Sequence, residues 1–278
     1  MLTFVPAFLF AAALSTALAA APAPLLPALP PHQIFPNAAA ALDAVLASNP
    51  HILGIGELHS TTAAPSLPST LSVFTAELFP VLAPHLTDLV LETWRVDGAC
   101  GAPAADVTEK VAVETERPPE TKSELVLLIE AAVAAGVRPH DLAFSCAEYG
   151  AMLDPAGEVR FGELLRLLTE KLQAFAVLAS ATPNATMVLY GGAVHNDLFP
   201  AAALASYAYG PEVQKKAGTN YVELDLYQPE LLTPTLTDAS WAPLLAVTGP
   251  GHVVLYQRGP QSFILFLPAA PATPLTPG

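Results

Sequence analysis

From Ala38 to Phe266 short apolar runs alternate with stretches of helical period, and this alternation constrains the fold more than any other feature. Ala38 to Ala47 reads as a helix and His51 to Glu57 as a buried strand. Thr70 to Leu82 carries Leu71, Phe74, Leu78 and Leu82 on one helical face. Asp88 to Glu92 is the next strand, followed by a helix over Lys122 to Ala135 that stops at Gly136. Asp141 to Cys146 forms a third strand and Phe161 to Ala181 a long helix. Thr186 to Gly191 is a fourth strand, Ala201 to Ala208 a short helix, and Tyr221 to Leu226 a fifth strand. Val253 to Tyr256 and Ser262 to Phe266 read as a terminal hairpin. Strands that alternate with helices need crossover connections, and these favour parallel pairing with helices as cover. The expectation is one α/β domain over residues 37–268: a mostly parallel central sheet, helices on both faces and a C-terminal β-hairpin.

In such a sheet the carboxyl ends of the strands share one edge, where sites form. The first strand ends as Gly54-Ile55-Gly56-Glu57-Leu58-His59. Side chains two apart on an extended chain point the same way, so Glu57 and His59 are offered together. Glu92 closes the second strand, Glu148 and Tyr149 follow the third, and His195, Asn196 and Asp197 follow the fourth. Four strand ends thus each bring an acid or a histidine to one edge. Each residue also has a plainer reading. Glu57 can cap a helix, Glu92 can pair with Arg95, Glu148 can open a loop, and Asn196 and Asp197 can cap the chain before Leu198. His51, His85, His140, His32 and His252 are weaker candidates.

The formal net charge is -14 and the first Lys or Arg is Arg95, so no basic stripe offers itself to nucleic acid. Residues 1–19 resemble a secretory signal: an apolar run ends in Ala17-Leu18-Ala19, although no cation precedes it. A retained anchor is the alternative, but the run is short for a span of roughly 20 residues. Cleavage would leave a secreted or periplasmic protein without stable membrane insertion. Prolines at 22, 24, 27, 30, 31 and 36 mark residues 20–36 as a linker, and residues 269–278 as a similar tail. Residues 95–121 are rich in acids and proline and read as a solvated loop or a lid beside the edge. Cys100 and Cys146 permit one disulfide, two free thiols or a metal-ligand role. A nucleophile elbow, a Walker loop, a dinucleotide fingerprint and H-E-x-x-H are all missing.

Gly56-Glu57-Leu58-His59 resembles the G-E-x-H signature of the superfamily that joins erythromycin esterases, Tiki and TraB proteases and ChaN-like haem-binding lipoproteins. Val90-Leu91-Glu92 is similar to its second-strand glutamate, and Gly192-Ala193-Val194-His195 to its later G-x-x-H element. The resemblance covers roughly residues 50 to 200. The chain departs from the esterases in being shorter and in having Ser60-Thr61-Thr62 after the motif.

The resemblance implies an exported hydrolase of an ester, lactone or peptide bond, acting on a small-molecule or peptide substrate. Glu57, His59, Glu92 and His195 would form its catalytic centre, and Glu148, Tyr149, Asn196 and Asp197, by their place at the strand ends, would line the substrate. In a metal-free form one histidine takes a proton from water and the other helps stabilise the oxyanion. In a metal form Glu57, His59, Glu92 and His195 hold one divalent ion. The alternative is an extracytoplasmic haem- or metal-binding protein, with Tyr149 or Tyr190 as an axial oxygen ligand.

Overall fold

The computed structural model describes residues 29–61, 67–96, 98, 100, 103–182, 184–232 and 239–269. The signal-like residues 1–19 lie outside them, as does all of the tail except Ala269.

Eight strands form a single mixed sheet of an α/β fold. They are β1 (His32–Phe35), β2 (Ile52–Glu57), β3 (Asp88–Val96), β4 (Arg138–Phe144), β5 (Met187–Gly192), β6 (Tyr221–Tyr227), β7 (Val253–Gly259) and β8 (Ser262–Phe266). Their order across the sheet is β1-β7-β8-β6-β2-β5-β3-β4. β8, β6, β2, β5, β3 and β4 pair parallel in that order. β7 is antiparallel to both β1 and β8. A mixed sheet therefore stands where the sequence suggested a mostly parallel one.

The helices are α1 (Ala38–Leu46), α2 (Thr70–Val73), α3 (Phe79–Leu82), α4 (Ala104–Glu114), α5 (Thr121–Ala134), α6 (Cys146–Ala151), α7 (Phe161–Ala181), α8 (Ala193–Asn196) and α9 (Gly210–Ala217). Strand alternation divides the core between the two faces of the sheet, with a further cluster around Trp241, Ile264 and Phe266. Leu53, Ile55, Leu89, Leu91, Val188 and Leu224 pack beneath α1, α2, α3 and α5. Ile52, Val90, Leu142, Leu189 and Tyr221 face the other way, against α6, α7 and α9. Each fully buried Leu or Ile contributes about 1.5–3 kcal/mol, so both layers hold the sheet.

Four local differences from the sequence reading have physical causes. The proline-rich stretch is not linker to its end: His32–Phe35 pairs with β7, from His32 opposite Tyr256 to Phe35 opposite Val253. Proline is tolerated at the flanks of an edge strand, where its missing N–H costs no ladder bond. The helix over 70–82 contains a π segment, Phe74–Leu78, just before Pro80. An inserted residue relieves the clash of a proline ring with the preceding turn. Within 201–208 the helix is a single 3-10 turn, Ala205–Tyr207, after a hydrogen-bonded turn closed by the Leu204 N–H on Ala201 O. The backbone there is drawn instead to His195: the Tyr209 N–H donates to the His195 carbonyl at 2.7 Å.

The fourth difference concerns the acidic segment, which is not simply a loop, since residues 104–114 form α4 with Val107 buried beneath it. Its end is a Schellman motif. The Arg117 N–H donates to Ala112 O at 2.9 Å and the Glu116 N–H to Val113 O at 3.1 Å. Glu116 sits between them at φ 51°, in the left-handed region. Cys100 and Cys146 form a disulfide that ties the start of this segment to α6.

Candidate active site

Sheet order decides which of the expected residues meet. β2, β5 and β3 are neighbours, with Glu57 opposite Gly192 and Leu91 opposite Tyr190. β4 lies outside β3. The carboxyl ends of β2, β3 and β5 therefore adjoin one another, and Glu57, His59, Glu92 and His195 gather there.

They gather as two carboxylate–imidazole pairs. His59 Nδ1 donates to Glu57 Oε1 at 2.7 Å. The tautomer follows from the partner, because a carboxylate only accepts. The other carboxylate oxygen, Oε2, accepts the Tyr190 hydroxyl at 2.5 Å. Burial first, and then the neighbouring Glu57 charge, pushes the Tyr190 phenol well above its ordinary value, so it remains a donor. Glu57 is buried, whereas the His59 ring is 29% exposed. His59 Nε2 makes no hydrogen bond to a described residue, and its ring is fixed through Nδ1. It lies over Gly192, where an added Cβ would come within 2.9 Å of it.

Glu92 forms the second pair. The register of β3 against β4 slips between Val90 and Trp94, and Glu92 sits in that slip. Its side chain crosses Gly191 so closely that any Cβ there would collide with it. Glu92 Oε2 accepts the Gly192 N–H at 2.5 Å, and Oε1 lies 3.5 Å from His195 Nε2. His195 is only 2% exposed. Its Nδ1 donates to the Tyr207 carbonyl at 2.9 Å and lies 2.8 Å from the Thr169 hydroxyl. With Nδ1 committed as a donor, a carboxylate opposite Nε2 favours a second proton there. Burial opposes charge on both groups. It is outweighed for Glu92 by His195, His59 and the Gly192 N–H, which hold the carboxyl far below its usual range. The Glu92 charge in turn raises His195 despite burial.

The other expected residues are engaged elsewhere. Glu148 closes a capping box with Ser145 at the start of α6 and pairs with Lys171 at 2.7 Å. Ser145-x-x-Glu148 is legible in the sequence as that motif. Tyr149 is fully buried in the core beside Trp94. Asn196 Nδ2 donates to Gly54 O at 3.2 Å and to Asp225 Oδ1 at 2.9 Å, inside the fold. Asp197 accepts from Arg258 at 2.6 Å. That arginine also pairs with buried Glu223.

The metal reading does not fit this arrangement. Glu57 is turned to His59 and Tyr190, and Glu92 to Gly192 and His195. Among the described residues no three His, Cys, Asp or Glu side chains converge on one point as ligands. The axial tyrosines of the haem reading are also occupied, Tyr190 by Glu57 and Tyr149 by the core.

One residue at the site escaped the sequence reading. Arg117, from the end of α4, places Nη1 4.0 Å from Glu57 Oε1. Nothing local announces that contact, which spans the acidic segment. The C-terminal hairpin residue Arg258 was likewise missed as the counter-charge of a buried acid cluster. A surface hollow of about 460 Å³, lined by Asp106, Glu109, Lys110 and Glu158, lies along α4 and does not border the dyads.

Among the described residues no helix is long and apolar enough to cross a membrane. No protein-family model and no curated protein matches the chain. Among solved structures it is similar to the type III effector HopBA1, at 14% identity and a TM-score of 0.36, over 86% of this chain and 98% of that one.

Proposed function

We propose that the chain is an exported hydrolase of the erythromycin esterase, Tiki and ChaN-like type, cleaving an ester, lactone or peptide bond without a metal. One observation carries the reading: His59 is anchored at Nδ1 by Glu57, while Nε2 has no hydrogen-bond partner among the described residues and sits on a partly exposed ring. Nε2 takes a proton from water as the water oxygen adds to the carbonyl. Glu57 stabilises the resulting imidazolium, and the proton then passes to the leaving group as the carbon–oxygen or carbon–nitrogen bond breaks. Tyr190 fixes the Glu57 carboxylate. Glu92, across Gly192, adds a second negative charge beside the ring, and buried His195 positions Glu92. The Cys100–Cys146 disulfide supports a place outside the reducing cytosol.

The test is a panel of aryl esters, lactones and short peptides, with wild-type protein beside His59→Ala and Glu57→Gln. Hydrolysis that falls by about 10²–10⁴ in His59→Ala is expected. Equal activity in wild type and His59→Ala would remove the proposal.

A further inference from the structure

We infer that Arg117 is an anchor for a carboxylate on the substrate, so that this hydrolase selects an anionic ester, lactone or peptide. The inference rests on the hydrolase reading of the same site. Arg117 is delivered to the dyad by built structure: the Schellman end of α4 fixes its backbone. The guanidinium is only 25% exposed, yet it stands 4.0 Å from Glu57 Oε1, beyond hydrogen-bond reach. Among the described residues the Arg117 side chain makes no hydrogen bond, so its planar fork of donors is unfilled.

A guanidinium held with open donors matches a carboxylate in two parallel hydrogen bonds. Its position decides between that role and stabilising an oxyanion. It meets the dyad at the Glu57 end, whereas the reacting atom, His59 Nε2, is on the far side of the ring. A group bound to Arg117 is therefore displaced from the scissile carbonyl. A chain with net charge -14 would otherwise repel an anion, and a local cation at the site overcomes this.

The test pairs an aryl glutarate monoester, which ends in a free carboxylate, with its methyl-capped neutral counterpart. Wild type should prefer the carboxylate ester in kcat/KM by at least about tenfold, through KM. Arg117→Gln should lose that preference, and Arg117→Lys should regain part of it by restoring charge. Preference unchanged in Arg117→Gln overturns the anchor, as does an equal fall in kcat on both esters. If wild type hydrolyses neither ester, the hydrolase reading fails on these substrates, and binding still decides the anchor. Glutarate should then shift the His59 ring protons in the NMR spectrum of wild type and not of Arg117→Gln. Equal shifts in both proteins, or none in either, would overturn it.

Discussion

His59 Nδ1 lies 2.7 Å from Glu57 Oε1, so two residues from one strand end form a hydrogen-bonded pair that needs no other element to bring them together. The period of two in an extended chain accomplishes this locally. What the rest of the fold adds is the setting: Tyr190 from β5, Glu92 from β3 and Arg117 from α4.

Loss of the Glu57 carboxylate should therefore act on chemistry more than on folding. Glu57→Gln keeps the shape but no longer stabilises an imidazolium. A fall in kcat of about 10²-fold or more is expected, with a small change in thermal midpoint. Steady-state kinetics and a melting curve on one preparation check both.

The Glu92–His195 pair predicts a window of pH. The Glu92 pKa is depressed from 4.5, so its contribution is complete above that value and fades as pH falls through the folded one. The His195 pKa is raised from 6.5, so its contribution is complete below that value and fades as pH rises through the folded one. The pair thus stabilises most between pH 4.5 and 6.5. Urea midpoints measured across pH should show this maximum, and Glu92→Gln should flatten it.

Gly191→Ala should disturb the site without touching a titrating group. The new methyl would meet the Glu92 side chain and push it off the Gly192 N–H. Activity should drop by about tenfold or more, as small misplacements of catalytic groups do. A double variant with Glu92→Gln should be no worse than the poorer single one, since both act through the same carboxylate.

Arg258 holds together Asp197, Glu223 and, through its field, Asp225. Burial already pushes Glu223 up to about 7, and Asp225 is raised by burial and by Glu223. Both acids keep protons in the fold that they lose when unfolded, so the Glu223 contribution weakens as pH rises from 4.5 towards 7 and that of Asp225 as pH rises above 3.8. Removing the cation by Arg258→Met should cost about 3–5 kcal/mol at pH 8 and less at pH 5. Denaturant unfolding at the two pH values measures the difference.

The disulfide joins residues 46 apart in sequence. Reduction, or Cys100→Ser with Cys146→Ser, should lower stability by about 2–4 kcal/mol. Urea midpoints with and without reductant provide the comparison.

The sequence shows β2, β5 and α7 clearly because each depends on local pattern alone. Phe161–Ala181 matches its periodic stretch, and Glu57 and His59 follow from strand alternation. α4 was hidden because Val107 is its one buried residue, too little for an apolar stripe. α9 opens on Gly210-Pro211, where proline suits a first helical turn, and its short stretch carries only Gly210 and Val213 buried. Arg117 and Arg258 were invisible for a different reason. A charge acquires its partner only when the chain is folded, and theirs lie 60 and 35 residues away (Glu57 and Glu223). Glu148 fell the other way: proximity to a strand end suggested substrate contact, while the capping pattern around it pointed to helix initiation.

The four-residue strand β1 has a further consequence. Among the described residues no strand pairs with its outer edge, where Ile34 is 56% exposed, and such an edge is a surface on which another chain can template. Pro30, Pro31 and Pro36 bracket that rim. Proline offers no N–H to an incoming strand, so any intermolecular ladder is cut short at both ends. Pro30, Pro31 and Pro36 thus limit strand pairing along that edge, a task quite separate from the proposed hydrolysis.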